Sequence, residues 1–171
     1  VISTQVKNLG ADLIVVRPAK HSNTIENMVE SLTASNQYLT SNLTLLDAKA
    51  IAALDDTTAA APIAQSVVTL TAEDRTVPSA TVVGTSEDLM KIQNLQLKSG
   101  TFISDTVENS AVVGKDLSYK LFGTGTEAIG KTFNMLDHKF IVTGMLEETE
   151  DPINFDNVDF DNAMLVSADY L

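Results

Sequence analysis

Gly125-Thr126-Glu127-Ala128-Ile129-Gly130-Lys131-Thr132 satisfies the phosphate-loop pattern G-x-x-x-x-G-K-[ST] letter for letter. In a working phosphate loop, backbone N–H groups cradle the phosphates, the lysine reaches the terminal ones and the hydroxyl holds magnesium. That chemistry needs an apolar strand leading in and a helix leading out, with the helix N-terminus facing the anion. The flanks here run the other way. Upstream, Lys115–Phe122 carries Leu117, Leu121 and Phe122 at helical spacing and closes on Gly123. Downstream, Thr132–Leu136, a turn at Asp137-His138 and Lys139–Gly144 read as a β-hairpin. The motif is a fortuitous match. Gly123 and Gly125 cap a short helix, and Gly130 turns the chain into a strand.

The other chemistry-bearing residues are few. The two histidines are His21, in a polar arm, and His138, in the expected turn; both read as surface positions. Seven acids (Glu147, Glu148, Glu150, Asp151, Asp156, Asp159 and Asp161) fall within 147–161 with no base among them. Asp156-Asn157-Val158-Asp159-Phe160-Asp161 offers the oxygen ligands that calcium takes. It departs from an EF-hand loop, because Asp161 stands where the sixth-position glycine belongs and Ser167 where the bidentate Glu belongs. A solvated acidic loop is the simpler reading. Ile153, Phe155, Val158 and Phe160 interleave with these acids. They either form a contact surface for a partner or pin the loop to the domain, and the sequence leaves both open. Glycoside chemistry would need acids on opposite sides of a cleft, whereas these cluster in one loop. No residue set makes an active site, so no catalytic, cofactor-binding or metal residue is expected, and the chain reads as a non-enzyme.

Composition narrows the partners. The chain has 171 residues and a net charge of −12, from 23 acids against 11 bases. Such a surface repels nucleic acid and anionic lipid. There is no cysteine, which excludes disulfides, thiolate zinc sites and cysteine nucleophiles. No apolar run reaches the ~18–20 residues that span a bilayer, and no signal peptide is visible at Val1. The chain starts without Met, as a piece of something longer would. With six Phe, three Tyr and no Trp, the core must be built from Val, Ile, Leu and Ala.

The elements follow from pattern. Asp12–Arg17 is β-branched, stopped by Pro18, and reads as a buried strand. Residues 19–42 form a polar, mobile arm holding a short amphipathic stripe at Ile25, Met28, Val29 and Leu32, with Asn23 and Glu26 as a capping box. Thr44 caps a helix with Asp47 at its third position, and Ala48, Ile51, Ala52 and Leu54 supply its buried face. Ala59–Gln65 and Ser66–Ala72 are extended, Glu73-Asp74 turns, and Thr76–Val83 returns as a strand that Pro78 pushes toward an edge. Thr85 caps a helix reaching Leu95, with Leu89, Ile92 and Leu95 apolar. Ser99-Gly100 turns into a strand at Thr101–Ile103. Ala111–Gly114 is a buried strand leading into the helix at Lys115–Phe122, and Ala163–Val166 is a final strand.

Three segments in order resemble a known family. They are Leu9-Gly10-Ala11-Asp12-Leu13-Ile14-Val15-Val16-Arg17-Pro18; Leu43–Ile51 followed by Ala61-Pro62; and Leu97–Phe102 with Ala111–Gly114, Leu121-Phe122-Gly123, Ile129-Gly130-Lys131 and Phe140–Met145. Together they are similar to the MacB-like periplasmic core domain of ABC transporter permeases in the MacB, LolC/LolE and FtsX-related group. The resemblance implies an α+β fold: a porter-like β-α-β unit plus an inserted, mostly-β subdomain with short helices. On that plan residues 1–67 are the first β-α-β half, with 19–42 as the arm, and residues 68–171 are the inserted subdomain. Family domains continue past Leu165–Leu171 with a second β-α-β half, which is absent here. The first unit is then left with a sheet edge that a second copy would cover, as in a homodimer.

The resemblance also implies a membrane-protein context outside the cytoplasm, periplasmic or on the outer surface. The partners would be the protein's own transmembrane helices, a cytoplasmic ATPase domain or subunit, and a periplasmic or surface protein. Function would be transport by mechanotransmission, with ATP hydrolysis coupled to movement outside the membrane. The alternative is a free-standing surface or secreted binding module that binds calcium through the acidic loop.

Overall fold

The computed structural model describes residues 13–18, 43–104, 107–123, 127–148 and 158–171. Its centre is a seven-stranded sheet: β1 (Ala64–Ala72), β2 (Arg75–Thr85), β3 (Leu97–Gly100), β4 (Ser110–Val113), β5 (Thr132–Met135), β6 (His138–Leu146) and β7 (Ala163–Ser167). Strand order is β3-β6-β4-β7-β2-β1-β5. Among the described residues three short α-helices accompany it: α1 (Leu45–Ala52), α2 (Asp88–Ile92) and α3 (Lys115–Phe122). This is the expected α+β class, a sheet-rich core with few helices.

The sheet curls until β5, at one end, reaches β6, one strand in from the other end. β5 pairs with β6 from Thr132↔Ile141 to Met135↔His138, and it also touches β1 at Thr71↔Asn134. Alternation along the strands divides the core between the two faces. Val82, Val113, Met164 and Val166 point to one cluster, where they meet Leu70, Phe133, Phe140 and the buried side of α3. Val83, Val112, Ala163 and Leu165 point to the other, under Leu89 of α2 and with Phe102, Val158 and Phe160. Strands buried on both faces carry unbroken apolar runs, and Ala163-Met164-Leu165-Val166 is such a run.

Several sequence expectations need correction. Asp12–Arg17 was expected as a buried strand. Residues 13–18 take no regular structure, and Ile14 is 84% exposed. β-branched composition favours a strand only where a ladder neighbour exists, and none pairs with this segment among the described residues. α1 forms with its expected cap: the Thr44 N–H donates to Asp47 Oδ2 at 2.8 Å, and the Asp47 N–H donates to Thr44 Oγ1 at 3.3 Å. Its expected packing does not follow, since no residue of α1 is buried. Ala52 and Leu54 are exposed. The stripe meets no covering surface among the described residues, and local capping, not burial, supports this helix.

β2 is interior, between β7 and β1, not the edge strand that Pro78 suggested. A bulge accommodates the proline. Val68 pairs with Ala80 and Leu70 with Val77, so Pro78 and Ser79 together oppose Thr69, and Ser79 takes φ 59°. Thr85 ends β2 and is buried, so it does not cap α2, whose N-cap is Glu87. The strand near residue 100 precedes the glycine (β3, Leu97–Gly100), whereas Thr101–Ile103 is irregular yet buried at Phe102 and Ile103. The boundary expected between residues 67 and 68 falls inside β1. The arm at 19–42 lies outside the described residues.

Candidate functional site

The described parts of the acidic stretch on both sides lie against α3. The N-cap of α3 is Gly114, whose backbone lies directly against residues 160 and 161; an added Cβ would stand 2.1 Å from the Phe160 carbonyl oxygen. The Gly114 N–H also donates to the Ala163 carbonyl at 2.9 Å. The first residue of α3, Lys115, donates to Glu148. Their mutual hydrogen bond is the main cause that holds the Lys115 ammonium above the ordinary lysine value and the Glu148 carboxyl below the ordinary carboxylate value. In the last turn of α3, Lys120 donates to Asn162 Oδ1. Asp159 braces residues 159–162: it accepts from the Asp161 N–H at 3.1 Å and from Asn162 Nδ2 at 2.7 Å.

The four expected contact residues divide. Val158 and Phe160 are 3% and 4% exposed and pack in the second core cluster, where they pin residues 158–160 to the sheet. Ile153 and Phe155 lie outside the described residues, as do Asp151, Asp156 and Asn157. Among the described residues no three His, Asp or Glu side chains converge to hold a metal ion.

α3 precedes the phosphate-loop pattern and β5 opens at its last residue, Thr132, the reverse of the strand-then-helix flanks that a phosphate loop needs. Lys131 is engaged elsewhere: its Nζ lies 3.2 Å from Glu73 and 5.9 Å from the centre of the Phe122 ring. Gly130 turns the chain at φ 78°, as expected, and Gly123 closes α3 at φ 94°. Gly125 lies outside the described residues, as does His21. His138 opens β6 and does not form the turn, which is made by Leu136 (φ 49°) and Asp137 (φ 65°). It borders a shallow pocket of about 200 Å³ with Met135, Leu136, Phe140, Asp169 and Tyr170. Sequence reasoning missed this pocket, because it joins residues from two strands and a terminal turn that share no local pattern.

The described residues thus form a curled sheet with one core cluster on each face. The chain belongs to the MacB-like periplasmic core domain family, whose pattern it matches over residues 1–171. These are periplasmic or extracellular domains of ABC-type transporter permeases. Its fold is similar to the periplasmic region of MacB from Actinobacillus actinomycetemcomitans, with TM-score 0.63 and 19% identity, over 74% of this chain and 56% of that one. It is also similar to the extracellular domain of the ABC-type transporter YknZ from Gram-positive bacteria, with TM-score 0.60 and 19% identity, over 75% of this chain and 64% of that one. The chain thus spans between about half and two thirds of these solved relatives. No curated protein sequence matches it. Among the described residues, no helix is long and apolar enough to cross a membrane.

Proposed function

We propose that this domain is the moving extracytoplasmic part of an ABC transporter permease. ATP is hydrolysed by a separate cytoplasmic domain or subunit. Membrane helices carry the resulting movement outward, and the domain moves against substrate or a partner protein. The family match over the whole chain carries this reading. The packing is compatible with it. A sheet buried on both faces resists internal deformation, so displacement at its edge moves the block as a unit.

The test uses the full-length permease with its ATPase. The domain has no cysteine, so a single label introduced at exposed Val67 can be paired with one on a membrane helix. Distances between labels are expected to shift by several Å between the nucleotide-free and ATP-trapped states. An unchanged distance distribution in a transport-competent preparation would remove the coupling role.

A further inference from the structure

The pocket beside His138 sits where β7 runs out and β6 begins. Its floor is Phe140, stacked on Phe133 at 5.5 Å between ring centres. One wall is Tyr170, which meets Phe140 edge-on at 5.0 Å and is fixed by its hydroxyl, the acceptor for the Asn109 N–H at 3.1 Å. Met135 adds a polarizable wall, and Leu136 and Asp169 form the rim. Side-chain alternation along β6 puts Lys139 on the opposite face from His138 and Phe140. Phe140 and Met135 are 1% and 2% exposed and back the pocket from below, so what it presents is Tyr170, His138 and Leu136 with the Asp169 carboxylate beside them.

Its size decides what fits. At about 200 Å³ it is smaller than the ~300–1,000 Å³ of most small-molecule sites, and it suits one side chain. We propose that it takes an arginine side chain presented by a partner polypeptide. A guanidinium stacks on an aromatic face and pairs with a carboxylate; Tyr170 supplies the ring and Asp169 the carboxylate, whose Oδ2 also accepts from Ser167 Oγ at 3.3 Å. The net charge of −12 favours approach of a cationic segment over an anionic one. The inference does not depend on the coupling role proposed above.

The test is a nitrogen-15 amide titration of the 171-residue chain with Nα-acetyl-arginine N-methylamide. The citrulline counterpart has the same shape without the charge. Saturable shifts are expected at Met135–Phe140 and Ala168–Tyr170, with Kd on the order of millimolar for so small a probe. Asp169→Asn is expected to weaken binding about tenfold. Asp137→Asn, the same charge change outside the pocket lining, should leave it within about twofold. The proposal is overturned if those residues do not shift, if citrulline shifts them equally, or if the two variants weaken binding alike.

Discussion

Single residues set the tightest constraints in this molecule. Gly114 has no room for a side chain against the 160–161 backbone. Gly114→Ala is therefore expected to cost about 1–3 kcal/mol, read by urea denaturation, because backbone and not a flexible side chain must yield. Leu136 is the opposite case. Its turn, with positive φ at both central residues, favours Asn, Asp or Gly, so Leu136→Asn should stabilise by up to about 1 kcal/mol in the same experiment. The Lys115–Glu148 pair has a defined pH window. Glu148 titrates below its ordinary 4.5, so its contribution is present above that value and lost as pH falls through the lowered pKa. Lys115 titrates above its ordinary 10.5, so its contribution is present below that value and lost as pH rises through the raised pKa. The melting-temperature gap between wild type and Glu148→Gln should be flat between these limits and close at both ends.

Elements tell how much was legible beforehand. The helix at Lys115–Phe122 matched residue for residue, because an apolar face, a preceding buried strand and a closing glycine all agreed. The β5–β6 hairpin was legible for the same reason, with its turn displaced by one residue. α1 shows the limit. Its cap was readable from Thr44 and Asp47, but whether a surface waits to receive the helix is a tertiary fact. Thr44→Ala should accordingly speed amide exchange in Leu45–Ala52 while leaving the global transition unchanged, since no α1 residue is buried. Pro78 misled because a bulge, invisible in composition, places it inside the sheet. Phe160 is the counterweight. Sequence left it between surface and core, and its burial predicts a loss of about 3–5 kcal/mol on Phe160→Ala.

At the scale of the molecule, the glycine-lysine motif and the acidic run both invited readings that the assembled structure redistributes. Lys131 stands over Phe122 and beside Glu73, and Asp159 braces a turn. Calcium added to the chain is expected to leave its melting temperature unchanged. A saturable rise would revive the ion-binding alternative. The register of the strands has one more consequence. The backbone joins the sheet at Ala64, opposite Gly84, and Gly84 lies opposite Val166 near the point where the backbone departs. Ala64 and Val166 thus stand on one rim of the sheet, two strands apart, so a pull between these strand ends loads the β1–β2 and β2–β7 ladders in series.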